Sequence, residues 1–359
     1  MRYFSMTLHR GVAIAALAVT WAVLNGCSSP TFGPMAKNNA AAAARPSWTS
    51  GGYTLTTVND TNGNNNEITG INLTREIIGN YSNSATSDAT WSSYVSSPPY
   101  STFANLIYPA YKEGIYMYAI NDAASIMVGY ANTPTNESGL WGTVDYNGLW
   151  SLTLRHPHEL DCKPNATHEL LGFDNNSASE IAVGFYTDST NNCTFRPFEL
   201  KPGDNRDTTE FKNIPTSWLV TKATGIAPND DIVGSTQFSY NKAPAGWFQA
   251  SGATGTPSTY NCCGGSTIYP TAFNGIASVS LLGEVVVGSY VNASITHGLV
   301  WIKTTNTWKT VNGPPGTNYT IVNGVNANDD ICGWYRDPTT GYQYGFVGTP
   351  SAPLRKHHR

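Results

Sequence analysis

Charge is scarce in this chain. Only 12% of its 359 residues are Asp, Glu, Lys or Arg, about half the ~25% usual in soluble domains. A net charge of −4 leaves no basic stripe to track phosphates, so nucleic acid is not an expected partner. Cys-x-x-Cys, His-Glu-x-x-His and Gly-x-Ser-x-Gly are all missing, which removes the usual signatures of zinc ribbons, thioredoxins, zincins and nucleophile-elbow hydrolases. No carboxylate pair stands clear of the turn-type Asp background, so none is singled out for glycoside hydrolysis. Apolar runs of spanning length are missing too. Gly11 to Leu24 is uncharged and apolar but shorter than the ~20 residues a membrane helix needs. No catalytic residue, metal or cofactor is assigned from the sequence.

What is there begins with a basic opening, Arg2 to Arg10, followed by that short apolar run. This is the layout of a secretory signal. The run ends in Leu24-Asn25-Gly26-Cys27, which resembles the lipobox of bacterial lipoproteins. The resemblance implies a signal peptide over 1–26, an acylated Cys27 and attachment to a membrane through lipid. Ser28 after the cysteine implies outer-membrane sorting within the cell envelope. Residues 27–50 read as a tether, with Pro30, Pro34 and the run Ala40 to Ala44. Residues 351–359 read as a short basic tail.

Between tether and tail, one block recurs six times: a short apolar strand ending in Gly, often with an aromatic after it. Its copies include Ile77-Ile78-Gly79-Asn80-Tyr81, Ile126-Met127-Val128-Gly129-Tyr130 and Val285-Val286-Val287-Gly288-Ser289-Tyr290. The key glycines stand 50, 55, 50, 54 and 45 residues apart. Just upstream lies a Gly-Ile-Asn-type block, such as Gly70-Ile71-Asn72 or Gly324-Val325-Asn326. Asn and Asp suit the turn between two strands, so the two blocks form a hairpin. A third block lies downstream, as in Gly139-Leu140-Trp141 and His297-Gly298-Leu299. A fourth opens each unit, as in Tyr53 to Val58 and Trp308 to Val311. Four short strands at a period near 50 read as propeller blades. The expected fold is all-β: a six-bladed β-propeller over 51–350, closed by pairing of the first strand with the last.

The run Gly275 to Tyr290 followed by His297-Gly298-Leu299, with Gly324 to Tyr335 followed by Tyr344-Gly345-Phe346, resembles the HAF-type extracellular repeat of bacterial secreted proteins. The likeness covers nearly all of 51–349 and implies an extracytoplasmic location. It brings no catalytic motif with it, and only His297 keeps the repeat's histidine.

With strands a to d in chain order, the a–b and c–d connections share one end. These are the long ones, such as His156 to His168, Ser258 to Pro270 and Gln237 to Pro244. Binding residues concentrate on such loops. The candidates there are Tyr111, Tyr240, Tyr260, Tyr269 and Tyr342, with His156 and His158. A surface-anchored, non-enzymatic monomer binding a glycan or a protein on this face is the leading expectation. A hydrolase or lyase at the channel mouth is the rival. Cys162 and Cys193 fall in loops at the same end of the third unit and are expected to bond. Cys262 and Cys263 admit a vicinal bridge or other partners, and Cys332 reads as a buried small residue. His156, His158 and His168 cluster in one loop with Glu159, Asp161 and Glu169, residue types that bind metal, but their spacing matches no helix-based ligand pair and no metal is assigned.

Overall fold

The computed structural model describes residues 37–39, 46–60, 62–83, 91–106, 114–132, 137–144, 150–155, 167–174, 180–188, 193–201, 209–211, 213–238, 243–263, 268–280 and 283–351. Cys27, Tyr111, His156, His158, Cys162 and Tyr240 lie outside them, as do residues 1–36 and 352–359.

The described chain is all-β, with one short 3₁₀ turn at Lys303–Thr305. It opens with β1 (Lys37–Asn39), β2 (Ser47–Ser50) and β3 (Tyr53–Thr57). Next come β4 (Asn65–Ile71), β5 (Ile77–Ser82), β6 (Ser92–Ser96) and β7 (Thr102–Leu106). The second group is β8 (Ile115–Ile120), β9 (Ile126–Asn132), β10 (Glu137–Val144) and β11 (Trp150–Arg155). The third is β12 (His168–Phe173), β13 (Ala182–Asp188), β14 (Thr194–Leu200) and β15 (Thr209–Glu210). The fourth is β16 (Val220–Ile226), β17 (Ile232–Gln237), β18 (Ala245–Gln249) and β19 (Ser258–Thr259). The last seven are β20 (Pro270–Ser280), β21 (Gly283–Asn292), β22 (Ile295–Ile302), β23 (Thr307–Val311), β24 (Thr320–Val325), β25 (Ile331–Arg336) and β26 (Gln343–Pro350).

Four sheets run β4-β5-β6-β7-β1, β8-β9-β10-β11, β20-β21-β22-β23 and β24-β25-β26-β3-β2. The third and fourth groups share one eight-stranded sheet, and its halves meet through a single parallel pair, Phe195 with Val220. The sheets are out of phase with the sequence repeat. The strand that opens each sequence unit does not pair with its own successor. It pairs with the last strand of the unit before, as β7 does with β6. By the same rule β3 pairs with β26, Tyr53 opposite Pro350 and Thr57 opposite Phe346. The expected pairing of first strand with last is therefore present.

The stretch 27–50 differs from its reading as tether. Residues 37–39 pair with the edge of β7, and 47–50 pair with β3. The reason lies in Trp48. Its ring packs edge-on to Tyr335 at 5.3 Å and Phe346 at 6.1 Å, and its Nε1 donates to the Asn312 carbonyl at 2.8 Å. An aromatic with that much to bury is drawn onto an open sheet edge.

The core lies between neighbouring sheets. Ile78 and Val95 of one meet Met117 and Met127 of the next, and Val287 and Val300 meet Val322 and Ile331. The repeated glycines permit this closeness. A Cβ on Gly172 would lie 2.7 Å from the Gly225 Cα in the adjacent inner strand. One on Gly184 would overlap the Glu169 carbonyl oxygen.

The Gly-Ile-Asn blocks end in tight turns, as expected, by a mechanism of their own. The left-handed residues are Arg75, Ala124, Asp230 and Asp329, while the asparagines cap with their side chains. Asn72 Oδ1 accepts the Glu76 N–H at 2.8 Å, Asn121 Oδ1 that of Ser125 at 2.8 Å and Asn326 Oδ1 that of Asp330 at 3.0 Å.

Candidate functional site

Each of β4, β8, β12, β16, β20 and β24 breaks register by one residue near its end. The skipped residues are Thr69, Tyr118, Leu171, Thr224, Asn274 and Asn323. A bulge re-aims the unpaired residue, and here all six converge on one narrow cavity of about 60 Å³. Four of them also bond across to the next inner strand. Thr69 Oγ1 donates to Met117 O at 2.6 Å, and Thr224 Oγ1 donates to Phe273 O. Asn274 Nδ2 reaches Val322 O at 3.1 Å, and Asn323 Nδ2 reaches Ile68 O at 2.9 Å.

Toward the end where the long a–b connections enter, the axis widens to a cavity of about 200 Å³, which Lys222 and Ser235 join. Tyr118 and Lys222 line this mouth, and behind Tyr118 stands a cluster of ionisable and aromatic side chains. Tyr116 Oη donates to Glu67 Oε2, and Tyr118 Oη donates to Glu169 Oε2 at 3.4 Å. The rings of Tyr116 and Tyr118 are 4.9 Å apart, and Tyr130 lies nearly parallel to Tyr116 at 5.7 Å. Trp91 meets Tyr116 edge-on at 5.6 Å. On the other side, Lys222 Nζ sits 4.0 Å above the Phe185 ring.

These surroundings tune the acids. Burial pushes the Glu67 carboxyl up to about 7, against the opposing pull of the Tyr116 hydroxyl, the Arg336 charge and Gln343. Burial first, then the negative charges of Glu67 and Glu169, raises both Tyr116 and Tyr118 well above the usual phenol range. The cluster thus keeps its phenols protonated beside a carboxyl raised toward neutral pH. Among the described residues no three His, Cys, Asp or Glu side chains are grouped to hold a metal.

At the opposite end, Lys303 Nζ bonds Glu284 at 2.5 Å and lies 3.8 Å from Asp231. Burial, and a hydrogen bond with Asp231, push Glu284 up to about 7.

The residues singled out from sequence do not gather here. Tyr260 packs on Trp301 at 4.6 Å. Tyr342 closes a surface turn, its carbonyl accepting the Asp337 N–H at 2.9 Å. Tyr269 is 48% exposed and lines a separate cavity of about 570 Å³ with Phe238 and Val291. His168 and Glu169, read as part of a loop cluster, are strand residues of β12. Cys262, Cys263 and Cys332 are free thiols, and Cys332 is fully buried as expected.

The mouth cluster was missed because its members are unlike one another. Its signal is positional. Glu67, Tyr116, Glu169 and Lys222 each stand three residues before the small residue of the Gly-Ile-Asn-type block, and Tyr118 stands one before.

No family model matches the chain, and no curated protein matches it. Among solved structures, TolB from Acinetobacter baumannii aligns over 81% of this chain at 10% identity, TM-score 0.46. This chain spans 65% of that TolB chain. An oligogalacturonate lyase in complex with manganese aligns over 89% of this chain and 98% of its own, at 7% identity and TM-score 0.46. The β-propeller domain of the Trilobed protease from Pyrococcus furiosus aligns over 86% and 97%, at 7% identity and TM-score 0.46. Likeness at this level says nothing of what this chain binds.

Proposed function

We propose that this chain is a lipid-anchored envelope protein whose sheets make a six-bladed propeller, and that it binds a glycan at the axial mouth. The six-blade reading is supported by the bond from Asn323 to Ile68, which ties β24 to β4, and by the β3–β26 pairing, which places the opening strand of the repeat in the last sheet. The anchor rests on the lipobox at Cys27 and the location on the HAF-type repeats. A Cys162–Cys193 bridge belongs to the same reading, because the two cysteines fall in connections at the same end of the third unit.

The observation that carries the ligand class is the wall of Tyr116, Tyr118 and Tyr130 between two carboxylates. Flat rings stack on the apolar faces of sugars, and carboxylates and phenols bond their hydroxyls. A glycan array probed with the full-length protein in detergent tests it. Binding that falls at least tenfold in Tyr118→Ala supports the proposal; equal binding by the variant removes this site.

A second reading, a hydrolase or lyase at the same mouth, is favoured by one observation. A carboxyl titrating near 7 is matched to general acid–base work at neutral pH. Release of shorter oligosaccharides from a bound glycan, abolished in Glu67→Gln, would establish it.

A further inference from the structure

Cys262 and Cys263 are neighbours in sequence, both free, in the connection between β19 and β20. Their environments differ. Cys262 is 3% exposed and packs among Phe273, Ile276 and Tyr290. Its N–H donates to Ile268 O at 2.8 Å, which fixes it to the far side of the connection. Cys263 is partly exposed and holds a left-handed backbone, φ 64°. Cys263 is packed, partly buried, against the same cluster that holds Cys262 and Tyr290. Among the described residues the other free thiol, Cys332, is buried in a different core cluster with Ile77 and Val347.

We propose that Cys262 and Cys263 form a reversible two-electron thiol–disulfide couple, with Cys263 the entry thiol and Cys262 the resolving one. The co-reactant is a small disulfide such as oxidised glutathione. The Cys263 thiolate attacks one of its sulfurs, a mixed disulfide forms and the first thiol leaves with a proton. Cys262 then attacks the Cys263 sulfur and expels the second thiol. The protein loses two electrons and two protons, and the disulfide is reduced to two thiols. The order of attack follows from access, because only Cys263 meets solvent. The second step is intramolecular, between adjacent residues; Cys263 and burial hold the Cys262 thiol up, so Cys262 gives its proton to the departing sulfur as it attacks. A ring between neighbouring residues is strained, and strain makes a disulfide easily reduced. The pair is therefore a labile couple rather than a structural staple. The two free thiols are its reduced form.

The test uses the full-length protein in detergent, exposed to oxidised glutathione, quenched with acid, alkylated in denaturant and digested. The peptide holding both cysteines is expected lighter by two hydrogen atoms and without alkyl groups, and dithiothreitol restores two alkylatable thiols. Cys262→Ser should trap glutathione on Cys263. Two alkylated thiols after oxidation, a stable glutathione adduct on the wild-type protein, or a bond from either cysteine to Cys332 would each overturn the couple. The wild-type mass decides the matter even if the Ser variant fails to fold.

Discussion

Asn326 Nδ2 donates to the backbone carbonyl of Asn72 at 2.8 Å, across 254 residues of sequence. The same side chain caps its own turn, its Oδ1 accepting the N–H groups of Asn328 and Asp330. One amide thus shapes a hairpin and fastens the last inner strand to the first. Asn72 repeats the arrangement toward the Asn121 carbonyl at 3.3 Å.

Asn326→Ala should therefore cost more than an ordinary turn substitution. It strands the buried Asp330 N–H and the buried Asn72 carbonyl, at about 1–3 kcal/mol for each group left without water, and it also drops the bond to the Asn328 N–H. Asn326→Asp keeps the acceptor but loses the donor to both the Asn72 carbonyl and Asp330 Oδ2, and it sets a buried carboxylate against Asp330, so it should cost at least as much as the alanine. Thermal unfolding of the three proteins side by side checks the order.

Gly184→Ala should destabilise the fold by about 1–3 kcal/mol through overpacking, because the added methyl meets the Glu169 carbonyl. Gly255→Ala, where a Cβ meets nothing within 4 Å, should leave the urea midpoint unchanged. A similar midpoint for both variants would contradict the packing described for β12 and β13.

Stability should depend on pH through Glu67 and Glu284. Each folded carboxyl titrates at about 7 against an ordinary value of 4.5. Between those values the folded chain holds more protons than the unfolded one, so stability falls as pH rises and levels off above about 7. The contribution is fully present below pH 4.5. Glu67→Gln should flatten this part of the curve, as read from urea unfolding at several pH values. A slope identical to the wild-type one would show that Glu67 is not shifted.

Removal of residues 46–58 should abolish cooperative unfolding. It takes away Tyr53 and Leu55, which are 1% and 0% exposed, and each such side chain contributes about 1.5–3 kcal/mol by burial. It also bares the edge of β26. A sharp thermal transition in the shortened chain would mean that β3 is only an ornament to the last sheet.

Cys27→Ser should move the protein from the membrane fraction to the soluble one, since each buried methylene of an acyl chain contributes about 0.8 kcal/mol to anchoring. Retention of the variant in washed membranes would remove the lipid-anchor proposal.

Much of the scaffold was legible in the chain. The apolar-Gly-aromatic block fell on β5, β9, β13, β17, β21 and β25 because a strand beside a tight turn is specified by neighbours in sequence. The reading of 27–50 as tether was incomplete, since nothing near Trp48 announces the distant Tyr335 and Phe346 that it covers. The loop tyrosines drew attention as exposed aromatics, yet Tyr260 is occupied by Trp301.

The sequence by itself determined the period, the all-β class and the turns, because hydrophobic alternation and Asn or Gly turn chemistry act over a few residues. Only the tertiary structure decided that Glu67, Tyr116, Tyr118, Glu169 and Lys222 share one mouth. They come from four strands about 50 residues apart, each unremarkable in its own repeat. What joins them is the side-by-side packing of these strands, which sets Tyr116 on Glu67 and Tyr118 on Glu169, and the burial there that raises the Glu67 carboxyl toward neutral pH.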